Sequence, residues 1–232
     1  MEQIRAEACA SCERCIFADA GPIKSIPFEI HITVSSAEIA AFRAACTALG
    51  VKPLFLALQL AAGGAARDVM TSSVHFGSDE SVLKEASRIS SGLSAAGFDV
   101  VRTKIETAPW HPSVPTLKSP NSTAGLYFEA HLAVSCRETD RPRLSAVATT
   151  LGLHLSRNVM KQSDDGTCII MATVRDEVSI YESFRARVDD CRAAIAKSGF
   201  AVDKVIVEYV LLDDRVEHDA AWTGRSEDRK AA

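Results

Sequence analysis

The sequence predicts an α+β protein made by internal duplication of a βαββαβ unit, with two antiparallel sheets. Three observations lead there. Residues 27–34 read Pro-Phe-Glu-Ile-His-Ile-Thr-Val and residues 127–134 read Tyr-Phe-Glu-Ala-His-Leu-Ala-Val, so Phe-Glu-x-His-x-x-Val recurs after 100 positions. Ala96-Gly97-Phe98-Asp99-Val100 returns as Ser198-Gly199-Phe200-Ala201-Val202 at a separation of 102, which Gly50 with Gly152 and Thr71 with Thr173 share. Self-similarity in one order along the chain is the mark of a repeat. Third, 232 residues that are 47% hydrophobic and 24% charged suit one large domain or two small ones and exclude a mainly disordered chain.

The elements follow in order. Residues 27–34 alternate apolar and polar and predict a strand. Ser35-Ser36-Ala37-Glu38 has the form of a capping box for a helix that Gly50 stops. Residues 51–61 are apolar and predict a buried strand. Gly63-Gly64 marks a turn before a strand over 67–76. Ser78 or Asp79 caps a helix over 79–96, Gly97 ends it, and residues 98–107 form the fourth strand. The second half predicts strand 126–134, helix 139–151, strand 153–161, a turn at Asp164-Asp165-Gly166, strand 167–175, helix 178–198 and strand 200–211. The offsets of 100 and 102 place a two-residue insertion in the first helix of the second half.

This order resembles the ferredoxin-like split βαβ unit, which implies two helices on one face of each four-stranded sheet. The expected organisation is an N-terminal extension over 1–25, a first repeat over 26–108, a Pro-rich linker over 109–125, a second repeat over 126–212 and a tail over 213–232. Within that tail, the acidic run from Asp213 to Asp219 and Trp222 are placed to pack back on the body.

Strand alternation then sorts side chains by face. Phe28, Ile30, Ile32 and Val34 meet the helices. The open face collects Glu29, His31, Thr33, Arg102, Lys104 and Glu106, with Thr71, Ser73 and His75 from the third strand. Its counterpart holds Glu129, His131, Ala133, Met171, Thr173, Arg175, Lys204, Ile206 and Glu208. Either these faces stay in water, or they turn toward each other about a pseudo-twofold axis and line a groove. The Glu-x-His pair at the same place in both halves favours the groove. Arg and Lys there suit charge-assisted bonds to phosphate oxygens.

His31-Ile32-Thr33-Val34 is an H-x-T-hydrophobic tetrad, and His131-Leu132-Ala133-Val134 is its counterpart without the hydroxyl. The pair resembles the two-histidine phosphoesterase superfamily. That resemblance implies His31 and His131 as acid and base, with Thr33 on phosphate oxygens. A phosphorylated small molecule or nucleotide is therefore the expected ligand, to be bound or hydrolysed, held by Glu29, Glu129, Arg102, Lys104, Glu106, Thr71, Thr173, Arg175, Lys204 and Glu208. The alternative is a non-enzymatic module that binds a protein through the open sheet face. The residues point to no particular cofactor and no metal ligand set.

A net charge of −4 argues against an extended nucleic-acid surface. No apolar run reaches the ~18 residues of a spanning helix, and Met1–Cys15 has no apolar core, so a cytoplasmic protein is expected; the composition is compatible with a homo-oligomer. Seven cysteines, Cys9, Cys12, Cys15, Cys46, Cys136, Cys168 and Cys191, predict no disulfide framework. Cys9, Cys12 and Cys15 offer only three local thiolates, short of a four-ligand zinc site.

Overall fold

The computed structural model describes residues 26–114, 126–160, 166–177 and 179–224. The first repeat runs β1 (Ile26–Val34), α1 (Ile39–Leu49), β2 (Lys52–Gln59), β3 (Ala65–Gly77), α2 (Asp79–Ala95) and β4 (Val100–Thr107). The second runs β5 (Tyr127–Arg137), a 3-10 turn (Glu138–Asp140), α3 (Arg141–Leu151), β6 (His154–Asn158), β7 (Thr167–Asp176), α4 (Tyr181–Lys197) and β8 (Ala201–Asp213). A 3-10 turn (Val216–Asp219) and a short helix, α5 (Ala220–Thr223), follow. The cysteine triplet Cys9, Cys12 and Cys15, most of the linker and the last eight residues lie outside the described residues.

Local signals explain the ends. Gly50 and Gly152 take positive φ of 72° and 65° and close α1 and α3 at equivalent places, a conformation that glycine adopts without penalty. Ser78 caps α2 in a reciprocal box with Ser81. At α1 the predicted box does not form: Glu38 is itself the cap and accepts from the Ala40 and Ala41 amides. The two-residue insertion falls before α3, in the longer β5 and its 3-10 turn, because α1 and α3 are each 11 residues long.

The expectation of an α+β fold with two ferredoxin-like units, each with its own sheet, is overturned. All eight strands form one closed antiparallel barrel in the order β1-β3-β2-β6-β7-β5-β8-β4. The free edges of the two sheets find each other: β2 pairs with β6 at Leu56–Leu58, and β4 pairs with β8 at Lys104–Thr107. A barrel removes edges altogether, and an unpaired row of N–H and C=O groups is what drives such closure. Both repeats carry a bulge at the same point, between Thr33 and Val34 against β4 and between Ala133 and Val134 against β8.

The apolar faces pack outward against the helices. One cluster gathers Phe28, Ile30, Ile32, Phe42, Ile89 and Leu93, and the other Phe128, Leu132, Leu144, Phe184, Val188 and Ile195. The polar faces turn into the lumen, where two open sheet faces were expected. No helix among the described residues is long and apolar enough to cross a membrane.

One strand is expected on the wrong face. Met70 lies opposite Thr33 and Val74 opposite Glu29, while Ser73 lies opposite Ile30. Directly opposed residues share a face, so Met70 and Val74 line the lumen and Thr71, Ser73 and His75 turn to the helices. The reason is a one-residue difference between hairpins. Glu29 faces Val74 and Glu129 faces Arg175, a separation of 101 between β3 and β7. A slip of one residue reverses a strand's faces. The counterpart of Thr173 is therefore Ser72, not Thr71.

A shared barrel must unfold as one body. Urea denaturation followed by fluorescence and by circular dichroism is expected to give coincident single transitions. Leu132→Ala, in the second repeat, is expected to shift the whole transition by about 2–5 kcal/mol. Two separate transitions, with only one moved by the substitution, would show two independent units.

Candidate functional site

The lumen is built from alternate residues of β1, β3, β4, β5, β7 and β8. Glu29 faces Glu106 across β1 and β4, and Glu129 faces Glu208 across β5 and β8. His31 and His131 follow two residues on. The barrel thus sets Glu29, Glu106, Glu129, Glu208, His31, His131, Lys104 and Arg175 around one interior.

His31 bridges to carboxylates. Its Nδ1 donates to the Thr71 carbonyl at 3.1 Å, and its Nε2 lies 3.0 Å from Glu106 Oε2 and 3.5 Å from Glu29 Oε1. A carbonyl only accepts, so a proton on each nitrogen satisfies both ends. Burial opposes that charge, but the hydrogen bond to Glu106 and the charges of Glu29 and Glu106 outweigh it and raise the pKa. His131 is the looser copy: Nε2 is 3.6 Å from Glu208 Oε2 and 3.7 Å from Glu129 Oε2, with Nδ1 2.9 Å from Thr173 Oγ1.

Lys104 joins the halves. Its Nζ is 2.6 Å from Glu106 Oε1 and also bonds Glu129 Oε2. Burial works against the ammonium, yet Glu106 and Glu129 hold its pKa well above the ordinary value. Arg175 places Nε 3.0 Å and Nη2 2.9 Å from Glu129 Oε1, and Cζ 4.1 Å over the Tyr127 ring. Burial pushes the Glu129 carboxyl up, but Lys104 and Arg175 bring it well below the usual range.

The end of the chain closes the network. Arg102 grips Asp213 (Nε–Oδ1 2.8 Å, Nη2–Oδ2 2.6 Å) and Asp219 (Nη1–Oδ1 2.9 Å, Nη2–Oδ2 2.8 Å) with the same guanidinium. Arg175 Nη2 reaches Asp219 Oδ2 at 2.5 Å, and Tyr127 donates to Asp213 Oδ2 at 2.7 Å. The segment is pinned by His218 to Asp68 at 3.2 Å and by the Trp222 indole N–H to the Leu155 carbonyl at 3.1 Å. Asp213, Asp219, Tyr127 and Asp68 belong to the network although none was a predicted site residue. The acidic run ending at Trp222 was the available signal.

Glu208 is the exception. Its Oε1 is buried without a hydrogen-bond partner. Burial first, then the charges of Glu106 and Glu29, push its carboxyl well above the usual range. The cause lies in the repeat. Lys104 stands opposite His31 on β4, but Ile206 takes the equivalent place opposite His131 on β8. Glu106 has a cation two residues before it; Glu208 has an isoleucine.

The other expected residues divide. Thr33 is buried opposite Arg102, and Thr173 holds His131. Thr71 is removed from the candidate ligand face: its Oγ1 accepts from the Ile32 amide at 3.2 Å, and Ser72 takes its place by donating to Glu29 Oε1 at 2.8 Å. Lys204, half-buried opposite Ala133, takes no part in these ion pairs. The two histidines of the phosphoesterase-like pattern both lie against carboxylates inside one barrel, and Ala133 stands where the first half has Thr33. Among the described residues, Glu106, His131 and Glu208 bring one ligand atom each to within 4.8 Å of one another.

No family model and no curated protein matches the chain. Solved structures similar to it include a protein assigned as a glycine cleavage system transcriptional repressor, 11% identical with a TM-score of 0.25, over 80% of this chain and 98% of that one. The acetolactate synthase small subunit from Thermotoga maritima is 9% identical with a TM-score of 0.27, over 81% of this chain and 96% of that one. An unknown protein from Galdieria sulphuraria is 14% identical with a TM-score of 0.24, over 81% of this chain and all of the other. Likenesses so distant carry no argument about ligand or activity.

The state of Glu208 has a measurable sign. A carboxyl whose pKa is raised on folding stabilises the fold below its unfolded value, and that contribution is lost as pH rises through the folded value. Glu208→Gln is therefore expected to match the parent near pH 4.5 and to exceed it at pH 8, by about 1 kcal/mol or more, roughly 2–4 °C in Tm. A variant less stable than the parent at pH 8 would show that the carboxylate is paired.

Proposed function

We propose that the barrel is a binding protein for a small cationic ligand, taken into the lumen between the facing glutamates of its two halves. One observation carries this reading: Glu29 opposes Glu106 and Glu129 opposes Glu208, the same like-charge pair built twice. Directly opposed like charges destabilise a sheet, and here Glu106, Glu129 and Glu208 are buried and Glu29 half-buried. Lys104, Arg102 and Arg175 are already engaged by carboxylates, so the unmet demand is for positive charge. An eight-stranded barrel has room for its own side chains or one small ligand.

A thermal-shift series checks this reading. Divalent cations, guanidinium and short diamines are expected to raise Tm, by the equivalent of about 2.7 kcal/mol at a hundred times the dissociation constant. Glu106→Gln is expected to remove most of that rise. Cations that give no shift, or an unchanged shift in Glu106→Gln, would overturn the reading.

A phosphorylated small molecule or nucleotide is supported by a different observation. The Arg102 and Arg175 guanidiniums converge on Asp219, a carboxylate carried by the C-terminal segment rather than by a barrel strand. Phosphate oxygens suit that fork if the segment withdraws. Asp219→Asn is then expected to lose stability, by about 3–5 kcal/mol because two buried cations lose a partner, and to gain a phosphate-dependent rise in Tm that the parent lacks. Equal responses of parent and variant to phosphate would exclude this second reading.

A further inference from the structure

We infer that Glu106, His131 and Glu208 form a divalent metal site in the lumen. This rests on the cation-binding reading and names the cation. The three residues come from β4, β5 and β8, which are neighbours in the barrel order β5-β8-β4. Backbone pairing therefore fixes all three positions. Their ligand atoms lie within 4.8 Å of one another, and His131 Nε2 is already 3.6 Å from Glu208 Oε2. Around a cation with bonds of about 2.0–2.2 Å, neighbouring ligand atoms sit roughly 3–3.5 Å apart. The present separations, from 3.6 Å to at most 4.8 Å, must shorten for all three to bind one ion.

Two further observations point to a ligand. Glu208 is 2% exposed, and its Oε1 has no hydrogen-bond partner. A buried polar atom without a partner is costly, and a metal ion between Glu208 and Glu106 removes that cost. The orienting contacts are also present. His131 holds Thr173 Oγ1 through Nδ1 at 2.9 Å, which turns Nε2 toward the two glutamates. His31 braces Glu106 Oε2 at 3.0 Å. A histidine ligand whose other nitrogen is fixed, beside a carboxylate that is itself held, is the usual arrangement around protein-bound metals.

The donor set selects the metal. Two carboxylate oxygens and one imidazole nitrogen, with no thiolate, suit Mn²⁺, Fe²⁺, Co²⁺ or Zn²⁺ rather than copper(I). Three protein ligands leave positions open for water or a small anion. This gives a phosphate-bearing molecule one route into a lumen whose arginines are engaged.

The test uses the full chain with Cys9, Cys12 and Cys15 changed to Ser, so that the N-terminal thiols do not compete. Mn²⁺ is titrated and the free ion counted by electron paramagnetic resonance. One bound Mn²⁺ per chain is expected. Glu208→Gln and His131→Gln are each expected to weaken it at least 100-fold while thermal unfolding stays cooperative. Thr173→Val, a change in a positioning residue, is expected to weaken it about 10-fold. No saturable Mn²⁺ binding, or binding unchanged in both Glu208→Gln and His131→Gln, overturns the site. If a diamine or guanidinium still raises Tm in a Glu106-dependent way, the cation reading survives and only the metal site fails. If neither binds, both fail together.

Discussion

Closing the barrel buries Arg102, Lys104, Glu106, Glu129, Arg175 and Glu208 in one interior, and the fold depends on how their charges are met. Charges removed from water need partners of good geometry, because desolvation otherwise exceeds the attraction gained. The lumen meets this by chaining. Arg102 holds Asp213 and Asp219, Arg175 holds Asp219 and Glu129, and Lys104 links Glu129 to Glu106. The chain crosses from β4 to β5 and β7 and out to the C-terminal segment. It ties the repeats together from inside, as the β2–β6 and β4–β8 ladders do from the wall.

The C-terminal segment is therefore part of the barrel's electrostatics. Asp219 serves two guanidiniums at once, and Trp222 and His218 fix it against β6 and β3. Without it Arg102 keeps Asp213 and Arg175 keeps Glu129, but each loses its second carboxylate. The dependence also runs the other way, since a segment with only a 3-10 turn and one helical turn has little stability of its own. Its position follows from the arginines that wait for it.

Much of this was legible in the residues. Phe-Glu-x-His on β1 and β5 gave the repeat, and alternation placed Glu29, His31, Lys104, Glu106, Glu129, Arg175 and Glu208 on one face of each half. Barrel closure was not legible, because nothing in a strand's own sequence says what pairs with its edge. Only β2 carried a hint. Leu54, Leu56 and Leu58 share one face and Phe55 the other, and an edge strand with one face in water has no use for apolar residues on both. The face of β3 was misread because the Thr71–Thr173 match crossed a one-residue difference in hairpin length. Sequence identity at one position weighed more than the register, and register decides the face.

Duplication explains both the order and the exception in this interior. Two copies of Glu-x-His, on β1 and β5, and the glutamates that face them on β4 and β8 make four glutamates and two histidines converge. Had both copies kept a lysine at the Lys104 position, each facing pair would hold its own cation and the interior would be balanced. The second copy has Ile206 instead. That change leaves Glu208 without a lysine on its own strand, with the His131 imidazole at 3.6 Å beside it, so the deficit falls on one half. The tight His31–Glu106 contact of 3.0 Å and the loose His131–Glu208 contact of 3.6 Å record the same asymmetry. Glu208 keeps His131 at 3.6 Å from one carboxylate oxygen and no hydrogen bond on the other, and that is where the interior's shortage of positive charge falls.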